Sequence, residues 1–346
     1  MSLPEPINNS IVARASGKVI ISGEHAIIYG APALVAGVAR YSTVRFTPHQ
    51  EHHLRTILKD FSADPVSYPL NRLKHFCDRL DRHFEEFLAG RRPIKNILSR
   101  PDDLLAYSLA SLAKRVLPLR GRLETSSELP LGAGMGSSAA IIAAALLIHE
   151  HLSRQPLSPD ERFRQIRFCE RLQHGRGSAL DAAAVTYGGL LRVENDQPQP
   201  RDYPLENFYY LLDGIPQSST GECVAQVRQR FASDLGLWQE FAAVINDLDK
   251  SLGAGQSPVA ALRANQRLLE RLGVVPEGTR QLIRQLEATG ATVKISGAGS
   301  VRGGSGGMLL VYQPDPQAWA DFLNVNPGRF AGRLELARGG PQLLRI

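Results

Sequence analysis

The chain has 346 residues, 43% of them hydrophobic and 21% charged, with a formal net charge of +6; this is room for two domains of ordinary size and the composition of a soluble globular protein. Cys77, Cys169 and Cys223 stand far apart, which excludes a disulfide framework and a metal knuckle and fits a reducing cytoplasm, and neither a signal peptide nor an apolar run of membrane-spanning length is read. Basic residues are scattered with few aromatics between them, so a solvated basic surface suited to small anionic substrates is preferred to a nucleic-acid surface.

Ser10–Arg14 and Val19–Ile21 read as short strands separated by a turn at Ala15–Lys18, and Val35–Thr47 alternates as a further strand. Asn71–Leu88 has helical spacing, with Leu73, Phe76, Leu80, Phe84 and Leu88 on one face, most simply a core stripe. Leu104–Leu117 is a second helix. A half-exposed strand from Leu123 to Pro130 leads into a glycine-rich loop and a helix over about Ser137 to Leu152. Pro159–His174 and Ser178–Thr186 are helices; Gly188-Gly189 stops the latter, and Leu190–Val193 is strand-like. The polar, proline-rich run Asn195–Asp202 marks a domain boundary, giving a first domain over 1–200 and a second over 201–346. The second begins with strand Phe208–Asp213, then helices near Thr220–Phe231, Trp238–Leu252, Pro258–Leu272 and Glu277–Thr289. Strand Ala291–Ile295, a second glycine-rich loop Gly297–Gly307, strand Met308–Tyr312, helix Pro316–Phe322 and two short terminal strands complete it. Helices mixed with hairpin-like strand pairs, without strict β-α-β alternation, argue for the α+β class.

The stretch richest in chemistry is Pro130-Leu131-Gly132-Ala133-Gly134-Met135-Gly136-Ser137-Ser138-Ala139-Ala140, opening a strongly apolar helix. Glycines let a backbone turn tightly and approach a ligand, and the N–H groups at a helix start favour an anion such as phosphate. Ser137 or Ser138 can cap the helix or reach a phosphate-bound metal. A Walker loop does not fit: at the only Gly-Lys pair, Gly17-Lys18, Val12 stands where the first glycine belongs and Val19 follows the lysine. A dinucleotide fingerprint forced onto Gly134-x-Gly136-x-x-Ala139 needs a buried parallel strand before it, and Leu123–Pro130 is too polar. A tight connection without a ligand stays open at this point.

Three further segments narrow the reading: Ala15–Gly30, which holds Lys18, Glu24 and His25; Glu170–Gly189, which holds Ser178 and Asp181; and Lys294–Gly307. With the glycine-serine loop, and in this order, they resemble the galactokinase, homoserine kinase, mevalonate kinase and phosphomevalonate kinase (GHMP) superfamily from about Ala13 to Val311. Gly23–Ala33 and Asp213–Thr220 are most similar to its mevalonate kinase branch. The resemblance implies a two-domain fold, the first domain of a ribosomal-protein type and the second ferredoxin-like, with the active site in the cleft between. It implies an ATP- and Mg²⁺-dependent transfer to a small alcohol, the 5-hydroxyl of mevalonate, in the cytoplasm; a homodimer is compatible with it.

Residue by residue, Asp181 matches the superfamily's catalytic aspartate and Lys18 the lysine beside it. Leu131, Gly132, Ala133, Gly134, Met135, Gly136, Ser137, Ser138 and Ala139 match the ATP loop, and Gly297, Ala298 and Gly299 the third motif. Ser138 and Glu170 match the magnesium ligands. Glu24, His25 and Ser178 match positions beside the acceptor alcohol, and Arg192 an arginine for the substrate carboxylate. Each has a plainer reading as well: Lys18 as a turn lysine, Asp181 as a first-turn helix acid, Glu170 on a solvated helix face, His25 as a buried hydrogen-bonded histidine, Arg192 as an exposed strand residue. Two departures stand out. Arg176-Gly177 replace the usual Asn-Pro, with Ala179 in place of a glycine, and Ser300-Val301-Arg302 lengthen the third motif. Phosphomevalonate kinase, a related decarboxylase and a non-catalytic metabolite-binding member are the competing assignments.

Overall fold

Strand β1 (Ile11–Ser22) runs antiparallel to β2 (Ala33–Pro48) along its length. The structure is a computed structural model, described over residues 9–60, 64–112, 119–175 and 177–344. The turn expected at Ala15–Lys18 is absent. Opposite Ser16 and Gly17 the register passes from Tyr41 to Val38, so β2 absorbs the irregularity as a bulge at Ala39 and Arg40. Gly17 serves close packing instead of turning: a Cβ there would stand 2.5 Å from a Leu129 methyl.

Beyond β2 come β3 (His53–Leu58), β4 (Val66–Pro69), helix α1 (Leu73–Leu88) and helix α2 (Asp102–Ala110). The helix expected over Leu104–Leu117 thus starts earlier and stops sooner, and 113–118 lie outside the described residues. Strand β5 (Gly121–Ser127) leads through the glycine loop into α3 (Ser137–Ser153), followed by α4 (Pro159–His174) and α5 (Ala179–Tyr187). Strands β6 (Leu190–Glu194) and β7 (Gln197–Arg201) form a hairpin where a connection was expected. β7 carries two prolines and pairs with β6 alone, as an edge strand lets proline do.

The first sheet has the order β12-β1-β2-β5-β3-β4, where β12 is Gln342–Leu344, with the β6–β7 hairpin attached to the start of β2; β3 and β5 are its parallel pair among the described strands. α3 contacts β1 and β2 on one side and α2, α4 and α5 on others. From Ala139 to Ile148 it is therefore apolar all round, and its run of buried alanines lets the neighbours come close. Burying that helix fixes its N-terminus, and with it the glycine loop, against the sheet.

The chain continues with β8 (Phe208–Leu212), helices α6 (Thr220–Phe231), α7 (Leu235–Gly253), α8 (Val259–Leu272) and α9 (Glu277–Glu287), strands β9 (Thr292–Ser296) and β10 (Met308–Tyr312), helix α10 (Pro316–Val325) and β11 (Ala331–Arg333), and these four strands form the second sheet. Its order is β11-β8-β10-β9, antiparallel throughout. The chain then returns to the first sheet: Ala337 N–H donates to Gly37 O at 2.8 Å, and β12 (Gln342–Leu344) pairs with β1. The two layers also meet where Tyr29 stacks on Trp238 with ring centroids 3.9 Å apart and where Arg40 Nε donates to the Tyr210 hydroxyl at 2.9 Å. Among the described residues no helix is long and apolar enough to cross a membrane.

Candidate active site

Lys18 and Asp181, 163 positions apart, meet in space, with Lys18 Nζ 3.0 Å from Asp181 Oδ1. The approach is off the hydrogen-bonding direction and makes an ion pair, leaving that oxygen without a directed hydrogen bond. Lys18 is 5% exposed, so it is no surface turn lysine. Its backbone N–H donates to Met135 O at 2.8 Å, which ties β1 to the glycine loop. Asp181 sits in the first turn of α5, and its N–H donates to the capping hydroxyl of Ser178 at 3.2 Å.

The loop alternates. Ala133 and Met135 point into the core, while Gly132, Gly134 and Gly136 hold φ of +71°, +78° and +73°. A left-handed residue with a side chain costs roughly 1–2 kcal/mol, so glycine is selected at each. Space adds a second reason at Gly136, where a Cβ would stand 2.9 Å from Lys18 Cγ, whereas one on Gly134 would meet nothing within 4 Å. Gly134 thus presents bare backbone to open space and Gly136 makes room for the lysine. The first-turn N–H groups of α3 have no partner within the helix and form, with the loop, a cradle for an anion.

Glu170 is fully buried on α4, not on a solvated face. Its Oε1 accepts from Ser138 Oγ at 3.2 Å, and its Oε2 has no partner. Burial, and then the charge of Asp181, push its pKa up to about 8. An oxygen-only pair of this kind, with one buried carboxylate oxygen left over, suits a hard divalent cation, which favours the ionised form. No group of three or more His, Cys, Asp and Glu side chains that could hold a metal occurs among the described residues; Mg²⁺ that arrives with phosphates needs only one or two carboxylates.

The third glycine motif approaches from the second sheet. Gly297 and Gly299 have φ of +109° and +68°, and a Cβ on Gly299 would stand 2.1 Å from Val274 O. Ile215, on the segment after β8, lies 3.4 Å from where a Gly132 Cβ would be, which brings the two layers together over the loop. His25 is 1% exposed; its Nε2–H donates to Ala298 O at 3.1 Å, and its Nδ1 has no partner. Burial lowers its pKa, so the ring is neutral at pH 7. Glu24 is buried too. Its Oε1 pairs with Lys294 Nζ, and its Oε2 is unpartnered.

Arg192 is drawn elsewhere. Its guanidinium donates to Asp249 Oδ2 at 3.1 Å, Asn246 Oδ1 at 2.8 Å and Glu194 Oε2 at 3.2 Å, which fastens β6 to α7. Local spacing gave no signal for Asp249, some 57 residues on. The departures from the resembled pattern also have physical accounts. Gly177 lies against α4, where a Cβ would stand 2.2 Å from Arg167 O; Arg176 lies outside the described residues. The lengthened Ser300–Arg302 stretch is braced on α6 and the turn before it. Ser218 N–H donates to Ser300 Oγ at 3.2 Å, Val301 N–H to Ser218 Oγ at 3.2 Å, and Arg302 pairs with Glu222 at 2.6 Å.

Residues 104–189, which span the glycine loop, Glu170 and Asp181, match the family model of the GHMP kinases N terminal domain. The mevalonate kinase of Pyrococcus abyssi is 25% identical over 97% of this chain and 95% of its own length. That of Mus musculus is 29% identical over 88% of this chain and 87% of its own. The crystal structure of the Methanococcus jannaschii mevalonate kinase superposes with a TM-score of 0.78 at 18% identity, covering 96% of this chain and all of that one.

Proposed function

From a chain that carries a GHMP kinase N-terminal domain and has the two-domain GHMP kinase fold, we propose an ATP-dependent mevalonate kinase that transfers the γ-phosphoryl group to the 5-hydroxyl of mevalonate. The observation that carries the reading is the Lys18–Asp181 ion pair, set beside the glycine loop and next to the Ser138–Glu170 pair. Phosphoryl transfer asks a protein chiefly for position and charge. In this reading the first-turn N–H groups of α3 and the loop backbone hold the phosphates. Asp181 accepts the acceptor's proton or orients its hydroxyl, and Lys18 stabilises the developing alkoxide and the migrating phosphoryl group. Ser138 and Glu170 would hold Mg²⁺, which when bound with ATP supplies positive charge at the phosphate oxygens.

Glu24 Oε2 and His25 Nδ1 are buried acceptor atoms without protein partners, and we assign them to the substrate side of the site. Arg192 serves a substrate carboxylate only by exchanging Asp249 for it. We divide the domains at about residue 200, with β12 crossing back to the first. The location proposed is cytoplasmic.

Incubation with ATP and a panel of mevalonate, phosphomevalonate, diphosphomevalonate, galactose and homoserine, read by mass spectrometry, tests the substrate. Phosphomevalonate is the expected product. Its absence beside efficient turnover of another panel member removes the acceptor assignment and leaves the kinase class. The metal assignment has its own test. Glu170→Gln keeps the shape, removes the carboxylate and should raise the Mg²⁺ concentration needed for half-maximal rate by about tenfold or more at saturating ATP. Its melting temperature without Mg²⁺ should be no lower than that of the wild type, because a buried carboxylate beside Asp181 is replaced by a neutral amide. An unchanged Mg²⁺ titration makes Glu170 a structural acid.

A further inference from the structure

Strand β1 and the turn after it touch both glycine loops in sequence. Lys18 N–H donates to Met135 O in the first loop, and Ile20 N–H donates to Ser296 Oγ at 2.9 Å. Glu24 takes Lys294, whose ammonium also donates to Ile295 O at 2.6 Å, and His25 holds Ala298. Lys294 and Ser296 alternate on β9 and so share one of its faces, and Gly297 follows directly. Lys294 and Glu24 are both fully buried as side chains. Such an ion pair is a poor source of stability, since apolar residues of like volume serve as well or better. What it provides is a fixed separation, because neither charge can turn to water.

We propose, on the reading of the chain as an ATP-dependent kinase, that Lys294 and Ser296 are positioning residues. Acting through Glu24 and Ile20, they set the distance between the two glycine loops, so that Gly297–Gly299 closes on the nucleotide held at Gly132–Gly136. β1 is the spacer, and the polar face of β9 is the catch.

Calorimetric titration with Mg·ATP, alongside thermal melting, tests this on the whole enzyme. Lys294→Met alone strands the Glu24 carboxylate in the interior and should lower the melting temperature steeply. Glu24→Gln/Lys294→Met removes both charges and should recover most of that loss while its Kd for ATP stays raised by about tenfold. Ser296→Ala gives up one neutral hydrogen bond, folds, and should raise Kd by about threefold; Ser296→Thr, which keeps the hydroxyl, should bind as the wild type does. Wild-type affinity in both Ser296→Ala and the double variant overturns the proposal and leaves the ties as scaffolding. If the double variant does not fold, Ser296→Ala against Ser296→Thr decides alone. Failure of the wild-type enzyme to bind Mg·ATP overturns the kinase reading itself, and the positioning role with it.

Discussion

Asp181→Asn is expected to lower kcat by orders of magnitude while ATP affinity changes little. The amide keeps the shape and loses the charge and basicity that the transition state uses. Lys18→Met should also lower kcat steeply, since it removes the one cation that touches Asp181 Oδ1, at 3.0 Å, among the described contacts. Removing both should cost far less than the product of the two losses, because each residue's contribution depends on the other. The measurement is kcat for the four enzymes, with ATP binding by calorimetry. Near-wild-type turnover in Asp181→Asn removes the aspartate from the chemistry. Fully multiplicative effects show that the two residues act independently, and the ion pair is then incidental.

The second large effect separates two glycines that share a backbone conformation. Gly136→Ala and Gly134→Ala each place a side chain at a left-handed φ, +73° and +78°, and each should cost about 1–2 kcal/mol of backbone strain. They differ in what the methyl meets. At Gly136 it arrives 2.9 Å from Lys18 Cγ, near the root of the side chain, where displacement moves the ammonium off Asp181. kcat should fall by about a hundredfold or more. At Gly134 the methyl enters the open space in which the phosphates are proposed to lie. KM for ATP should rise by about tenfold or more, with the larger share of the loss in binding. The melting temperature of Gly136→Ala should fall below that of Gly134→Ala, because its methyl must also displace the Lys18 side chain. Equal kcat losses in both would mean that the loop responds as one strained unit, with no specific contact between Gly136 and the lysine.

Elements with strong local patterning were legible in the sequence. Pro159–His174, Thr220–Phe231 and Met308–Tyr312 occur where their periodicity places them, the first two behind the capping boxes Ser158/Glu161 and Ser219/Glu222. β1 was not legible as one strand, because Ser16, Gly17 and Lys18 look like a turn. Lys18 is there to reach Asp181 and Gly17 to let Leu129 pack close, and tertiary pairing with β2 overrides the local signal. β3, β4 and β7 were missed for a related reason. His53–Leu58 carries a histidine and an arginine, Val66–Pro69 ends on proline, and Gln197–Arg201 holds two prolines that an edge strand tolerates. In the site, the structure brings together Lys18 with Asp181 and Ser138 with Glu170. The partners of Glu24 and Arg192 come from 270 and 57 residues away, distances over which no spacing rule operates.

The return of β12 to β1 has a consequence for how the molecule is made. Arg14 hydrogen-bonds Gln342 across 328 residues, and Val12 faces Leu344 in the ladder. During synthesis the outer edge of β1 has no partner until β12, with Gln342 lying 328 residues beyond Arg14, has left the ribosome. Contacts of such sequence separation form slowly, and an open strand edge is a template for pairing with another chain. Synthesis therefore contains an interval in which the strand that bears Lys18 is present but unsheltered. Substitutions that keep β12 from pairing with β1 should appear first as loss of yield, with normal turnover per molecule in whatever fraction folds.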